Sequence, residues 1–249
     1  MPNAWDAGSA RLFASMGFDA VATTSGGFAA TLGRRDGSVS GDEALAHAAE
    51  LAAAVSVPVN ADLEDGFGAT VAEVENTFRR ASEAGVAGCS IEDAAGGAQR
   101  AILPTEAAAE RVAAAVAGAR SGPNRVIVTG RAENHLHGVR DLDDTIARLQ
   151  AYQEAGADVL YAPGLKSIDD IRRVVKETTA PVNVLVLPGG PTVPELADAG
   201  VARVSVGSAF HLVALGAVVA AAEELRSAGP YAFWATAATG RAARDASVS

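Results

Sequence analysis

Residues 84–93, Ala-Gly-Val-Ala-Gly-Cys-Ser-Ile-Glu-Asp, are one of four segments built alike. The others are Met-Gly-Phe-Asp-Ala-Val-Ala-Thr-Thr-Ser at 16–25, Ala-Gly-Ala-Asp-Val-Leu-Tyr-Ala-Pro-Gly at 155–164 and Ala-Gly-Val-Ala-Arg-Val-Ser-Val-Gly-Ser at 199–208. Each reads as a helix end, a glycine able to take the left-handed terminating conformation, and a short apolar run too brief for a helix. Three more strand candidates lie between them: Val57–Glu64, Arg125–Glu133 and Pro181–Val186, continuous apolar runs of the kind buried on both faces of a parallel sheet. Val21 and Val204 are 183 residues apart, six steps of about 30, the size of one strand plus its crossover helix. Helical spacing of Ala, Leu, Val and Ile fills the gaps at 42–54, 70–84, 105–119, 142–155, 167–177 and 193–199.

This register predicts an α/β chain folded as a (β/α)8 TIM-type barrel. No Gly-x-Gly-x-x-Gly follows an early strand, which argues against an open, doubly wound dinucleotide fold. Only seven strands are evident. A helix at 7–16 begins so early that its strand would have to end near Asn3, so either the first strand lies upstream, truncated here, or the barrel closes another way. Residues 1–229 are expected to form the barrel and 230–249 an extension. In that extension Pro230–Ala235 is aromatic enough to pack on another subunit, and 241–249 reads as a solvated tail.

Composition narrows the partners. The 249 residues are 49% hydrophobic, with 30 acidic against 20 basic side chains and a net charge of −10, so a nucleic acid or an anionic membrane is not expected. The single cysteine, Cys89, excludes an internal disulfide, and the Ala-rich stretch at 214–222 falls short of the roughly 20 residues of a membrane span. The expected location is the cytoplasm.

In a parallel barrel the chemistry lies at the C-terminal strand ends. Asp62 and Glu64 end the second visible strand, and a period of two places both toward the mouth. Glu92 ends the third, and Ile127, Thr129, Arg131 and Glu133 share one face of the next, bringing a guanidinium beside the carboxylates. Ser25-Gly26-Gly27 ends the first visible strand. Three converging carboxylates repel one another unless a cation joins them, and hard oxygen donors suit Mg²⁺ or Mn²⁺. The plainer alternative has Asp62, Glu64 and Asp65 capping the turn through Gly66, the reading preferred for Asp65, with Arg131 simply pairing with Glu133 or Glu92. Strand parity turns Cys89 toward the surrounding helices and away from the site. His135 and His137 could ligate a metal or hydrogen-bond a substrate, His47 and His211 read as packing or surface residues, and the amides of Ser205–Phe210 could hold an anion.

These motifs together resemble the isocitrate lyase and phosphoenolpyruvate mutase superfamily. The resemblance runs from Asn3-Ala-Trp-Asp6 through Thr23-Thr-Ser-Gly-Gly27, Asp62-Leu-Glu-Asp-Gly-Phe-Gly68, Ser90-Ile-Glu-Asp93, Gly130-Arg-Ala-Glu133 and Tyr161-Ala-Pro-Gly-Leu165 to Val204-Ser-Val-Gly-Ser208. It implies a Mg²⁺-dependent barrel that acts on small 2-oxo or 2-hydroxy acids, a homodimer or homotetramer whose subunits exchange their last helices, and a strand upstream of the Asn-Ala-Trp-Asp motif. It further implies that Asp62, Glu64, Glu92 and Asp36 surround the metal. Ser25 with the amides of Gly26 and Gly27 would bind a substrate carboxylate or enolate oxygen, and Arg131 would hold the other carboxylate or stabilise the leaving group. Among these, Arg131, Glu92 and Ser25 are the expected catalytic residues. The departure is the loop after Glu92, Ala94-Ala-Gly-Gly-Ala-Gln-Arg-Ala101, which has neither the Lys-Lys-Cys-Gly-His run of the isocitrate and methylisocitrate lyases nor the Asn and Ser or Thr of the phosphonate-handling members. Gly96 and Gly97 could hinge a lid there, with Gln99 or Arg100 reaching in. The expected activity is carbon–carbon lysis or decarboxylation of a small 2-oxo or 2-hydroxy dicarboxylic acid through a pyruvate-like enolate. A phosphonate mutase or hydrolase, and a non-catalytic carboxylate-binding barrel, are the alternatives.

Overall fold

All seven expected strands form, and an eighth precedes them. The computed structural model describes residues 1–95, 100–227 and 229–247. Strands β1 (Asn3–Ala4), β2 (Val21–Thr23), β3 (Val59–Asp62) and β4 (Gly88–Glu92) are followed by a two-stranded hairpin, β5 (Ala94–Ala95) with β6 (Ala101–Ile102). Then come β7 (Ile127–Arg131), β8 (Val159–Tyr161), β9 (Val182–Leu185) and β10 (Arg203–Ser205). The main sheet runs β1-β2-β3-β4-β7-β8-β9-β10 with every recorded pair parallel, while β5 and β6 pair antiparallel.

The expectation of a first strand lying upstream is therefore corrected: Asn3 and Ala4 are that strand, in register with Ala22 and Thr23. Two residues gave no periodicity to read. They are held by side-chain chemistry, because Asn3 Oδ1 accepts from the amides of Val206 and Gly207, each at 3.0 Å, and the Met1 amine donates to the Val204 carbonyl at 2.7 Å. These bonds join the two ends of the sheet. They also occupy two of the amides at 205–210 that the sequence offered to an anion.

The helices are α1 (Ala7–Ser15), α2 (Ser25–Thr31), α3 (Gly41–Ala54), α4 (Val71–Glu83), α5 (Thr105–Ser121), α6 (Leu142–Glu154), α7 (Ile168–Glu177), α8 (Val193–Asp198), α9 (Ala209–Arg226) and α10 (Phe233–Ser247). Their starts are written locally: Asp6/Ser9, Ser40/Glu43, Thr70/Glu73 and Thr192/Glu195 form reciprocal capping boxes on α1, α3, α4 and α8. At their ends Gly17, Gly85, Gly156 and Gly200 take φ between 81° and 100°, as the repeat required. Phe78, Leu149, Tyr152, Ile91 and Leu160 are fully buried between strands and helices, where each large apolar side chain contributes roughly 1.5–3 kcal/mol.

The C-terminal segment departs from the expected tail, because α10 is a 15-residue helix lying against α1. It buries none of its residues, and α9 buries only His211. The part of α10 from 241 read as a solvated tail because the contact the helix makes is with another helix, α1, which leaves no strong apolar stripe.

Candidate active site

The strand ends of β2, β3, β4, β7, β8 and β9 surround a cavity of roughly 130 Å³ lined by Ser25, Asp36, Asp62, Ser90, Arg131 and Tyr161, among others. Its wall is polar where the strands face inward. Thr23 Oγ1 accepts from the Asp62 amide at 2.8 Å, Ser90 donates to Asp62 Oδ1 at 3.3 Å, and Arg203 donates to Thr129 Oγ1 at 2.9 Å and Asn183 Oδ1 at 3.2 Å.

Arg131 is the centre of the cluster. Its guanidinium donates to Glu133 Oε1 at 2.6 Å and Asp62 Oδ1 at 3.3 Å, pairs with Glu92 Oε2 at 3.1 Å, and lies 5.2 Å from the Tyr161 ring centre. Register explains the meeting, since Glu92 and Arg131 are cross-strand partners, as are Arg131 and Tyr161. Asp62 also accepts from the Ser25 amide at 3.3 Å. Burial works against its charge, but Arg131 and the Ser25 hydrogen bonds outweigh it and hold the carboxyl below its ordinary range.

Glu64 reaches the same place by a different route from the one expected. β3 stops at Asp62, and Glu64 adopts φ 47°, a left-handed conformation costly for a residue with a side chain. The chain still runs beside β4, with the Leu63 amide on the Ser90 carbonyl and the Glu92 amide on the Glu64 carbonyl at 2.9 Å. The turn that follows contains the expected cap, with Asp65 Oδ1 accepting from the Phe67 amide at 3.0 Å. Arg100, the first described residue after 95, closes the cluster by donating to Glu92 Oε1 at 2.6 Å and to Glu64 Oε2. Of the expected lid residues, Gly96, Gly97 and Gln99 lie outside the described residues, while Arg100 does reach in.

Charge is unbalanced at this mouth. Four carboxylates, Asp62, Glu64, Glu92 and Glu133, share two guanidiniums, Arg100 and Arg131. The imbalance appears as proton affinity: burial first, then Asp62, pushes Glu64 up to about 7, and burial raises Glu92 well above the usual carboxylate range against the pull of Arg131. Asp36, exposed at the rim, adds to the field on Glu64. Hard oxygen donors with an excess of negative charge fit a divalent cation in chemical kind. In the arrangement seen, no group of three His, Cys, Asp or Glu side chains among the described residues is gathered to hold one.

The glycines at 26 and 27 do different things. A Cβ on Gly26 would stand 2.9 Å from Ser208 Oγ and 3.4 Å from Asp36, so a larger residue there would make the Ser208 hydroxyl shift. Gly27 turns its amide onto Thr24 Oγ1 at 3.3 Å, which caps α2. Of the two amides expected to meet a substrate, that of Gly27 therefore already has a partner inside the protein, and the Ser25 amide is taken by Asp62. Cys89 is buried with its thiol pushed up by burial, as strand parity required. His135 lines a different cavity with Arg140 and Lys166, His47 stacks on Phe28 at 3.8 Å, and His211 meets the Trp5 ring edge at 5.3 Å.

The sequence reading missed Tyr161 and a supporting network. Burial pushes the Tyr161 hydroxyl up to about 12, partly offset by Arg131. Behind Glu92, the Asp93 carboxylate accepts from Tyr152 Oη at 2.6 Å, Arg148 Nη1 at 3.1 Å and the Glu133 amide at 2.8 Å, tying the ends of β4 and β7 together. Tyr161 was findable, because it occupies the place on its strand that Arg131 occupies on the one before.

Comparison with known proteins agrees with this geometry. The sequence profile of the phosphoenolpyruvate phosphomutase family matches residues 1–226. A crystal structure of a Burkholderia cenocepacia J2315 protein superposes with a TM-score of 0.89 at 52% identity, covering 94% of this chain and 84% of that one. The Mycobacterium tuberculosis protein Rv1998c is 33% identical over 93% of this chain and 88% of its own length. The 2,3-dimethylmalate lyase of Eubacterium barkeri is 33% identical over 70% of this chain and 61% of its own. A crystal structure of a 2,3-dimethylmalate lyase, described as a PEP mutase/isocitrate lyase superfamily member, superposes with a TM-score of 0.83 at 28% identity, covering 91% of this chain and 81% of that one. The barrel, the carboxylates on successive strand ends and the arginine opposite them thus have one explanation: this chain is a member of the phosphoenolpyruvate phosphomutase family, within the PEP mutase/isocitrate lyase superfamily.

Proposed function

We propose that this enzyme breaks a carbon–carbon bond in a small 2-oxo or 2-hydroxy dicarboxylic acid, by lysis or decarboxylation, with Mg²⁺ or Mn²⁺ as cofactor. The observation that carries the reading is the buried cluster of four carboxylates on two arginines at the mouth of a cavity sized for an acid of a few carbon atoms. Asp62, Glu64 and Glu92, with Asp36 at the rim, would hold the cation, which when bound opposes negative charge developing on an oxygen of the substrate.

The rest of the chemistry belongs to the chain. Cleavage next to a 2-oxo group leaves a pyruvate-like enolate, and Arg131, fixed by three carboxylates, presents a preorganised positive charge to it. Glu92, paired through Oε2 with Arg131 and through Oε1 with Arg100, keeps that positive charge aimed at the site. Tyr161 keeps its hydroxyl proton at neutral pH and contributes ring and oxygen to the wall. Calorimetric titration of oxalate, a stable mimic of the enolate, tests this. Binding should require Mg²⁺, vanish with chelator and be lost in Asp62→Ala; metal-independent binding would overturn it.

The family whose profile matches favours a second reading, a phosphonate mutase or hydrolase, and turnover of phosphonopyruvate would establish it. Retained oxalate binding without turnover of any 2-oxo, 2-hydroxy or phosphonate acid would leave a non-catalytic carboxylate-binding barrel.

The same proposal includes a homo-oligomer, dimeric or tetrameric, in which a second copy covers α9. Leu212, Val213, Val218, Val219 and Leu225 are each more than half exposed there, an apolar surface that a monomer in water does not ordinarily present. Light scattering should give a mass of at least two chains.

A further inference from the structure

Arg100 is held differently from Arg131. Arg131 sits on a central strand, touches three carboxylates and faces an aromatic ring. Arg100 follows 96–99 at the edge of the small hairpin, one residue before the pair Ala95–Ala101, and its two contacts are Glu64 and Glu92. One guanidinium fork spans both carboxylates, one nitrogen on each. Those two residues are also half of the set proposed above to hold the divalent cation.

A guanidinium and a divalent cation cannot take the same oxygens together, because both bind by charge and each would stand within a few ångströms of the other. We propose that Arg100 and the divalent cation are alternative occupants of one place, the guanidinium leaving Glu64 and Glu92 when the metal arrives. The chain then carries its own competitor for its metal site. This rests on the metal reading above, and adds to it that the arginine at the hairpin edge, not Arg131, is what the ion displaces. The arrangement accounts for two observations at once. The carboxylates most in need of positive charge are bridged by a side chain one residue ahead of a two-residue strand, and among the described residues no three His, Cys, Asp or Glu side chains are gathered to hold a metal while it is there.

Competition has a measurable size. Metal affinity is lowered by the fraction of time that the site is open, so an arginine in place nine-tenths of the time weakens it about tenfold. By reciprocity, metal must free the arginine.

The test uses the full-length protein and Mn²⁺, with free ion followed by electron paramagnetic resonance, in the parent, Arg100→Met and Asp62→Ala. In parallel, phenylglyoxal modification of Arg100 is followed by mass spectrometry with and without saturating Mg²⁺. The expected result is about tenfold tighter Mn²⁺ binding in Arg100→Met and several-fold faster modification of Arg100 in the parent when Mg²⁺ is present. Tighter binding with an unchanged modification rate means only that a nearby positive charge was removed, and overturns the exchange. Equal affinity in parent and Arg100→Met, with binding lost in Asp62→Ala, overturns the exchange while the metal reading stands. No binding in either parent or Arg100→Met overturns both.

Discussion

The barrel mouth and the C-terminal helices are inverted images of each other. At the mouth, Glu64, Glu92 and Glu133 are acidic groups sealed away from water; on α9, Leu212, Val213 and Val218 are apolar groups left in it. Both break the ordinary rule of burial, and both do so for a stated reason. Buried charge is stable only when paired, and the pairing at the mouth is close but short of positive charge. Exposed apolar surface is stable only when covered, and α9 packs on Phe13 and Trp5 through Phe210 and His211 at its start and meets α10, while Leu212, Val213 and Val218 stay in water. The mouth is satisfied mostly from within, whereas α9 asks for something from outside.

The largest effect expected from breaking this contrast is at Arg131. Arg131→Met strips a partner from Asp62, Glu92 and Glu133 together, and removing one side of a buried ion pair costs about 3–5 kcal/mol. Urea denaturation should show this as a lower midpoint with an unchanged slope. A variant within about 1 kcal/mol of the parent would mean that water enters the mouth freely and that the contrast with α9 is false.

Tyr152→Phe probes the layer behind. It removes one donor to the buried Asp93 carboxylate while Arg148 and the Glu133 amide remain, for a loss of about 1.5–3 kcal/mol in the same assay. If Asp93 matters by positioning Glu133 and Arg131, oxalate affinity falls as well. An unaltered affinity would confine Asp93 to stability.

His47 provides a milder test, through pH. Burial lowers its pKa from 6.5, against smaller opposing effects of the Trp5 carbonyl, Glu50 and Asp6, so the fold prefers the neutral ring. The unfolded chain takes up the proton first as pH falls below 6.5, so this contribution to stability is present above that pH and lost beneath it. Thermal melts between pH 7 and 5 should decline less in His47→Gln than in the parent. Equal declines would show that His47 titrates alike folded and unfolded.

The smallest effect on the fold itself is expected at the other pole. Val218→Asp replaces a side chain 65% exposed, and the chain should unfold within about 0.5 kcal/mol of the parent. Its assembly should not survive, because an unpaired carboxylate would be buried under the second copy, and light scattering should report a lower mass. An unchanged mass would move the interface away from this face of α9.

Much of this contrast was written in the sequence. The helix-glycine-strand repeat located four strands because each glycine marks a left-handed helix end, a local requirement independent of the rest of the chain, and continuous apolar runs located three more. The acidic strand ends and Arg131 were legible because parallel pairing fixes which residues stand side by side. Glu64 was named for the wrong reason, since alternation along a strand put it at the mouth and a left-handed turn actually does so. Two residues of β1 lay beyond reach, because what makes them a strand is an asparagine bonded to amides more than two hundred residues away. Arg100's partners were hidden likewise, since a loop has no period from which a direction can be read.

That same asparagine sets a condition on how the molecule is made. The bonds from Asn3 to Val206 and Gly207 span 203 and 204 residues, so the barrel's seam cannot close until nearly the whole chain exists. During synthesis at about 5–20 residues per second, the first strand, though soon beside β2, has to wait roughly 10–40 seconds for the segment that closes the seam. Throughout that interval one edge of the growing sheet is open, so closure is a late event of high contact order and the nascent chain depends on its helices to keep that edge from pairing elsewhere.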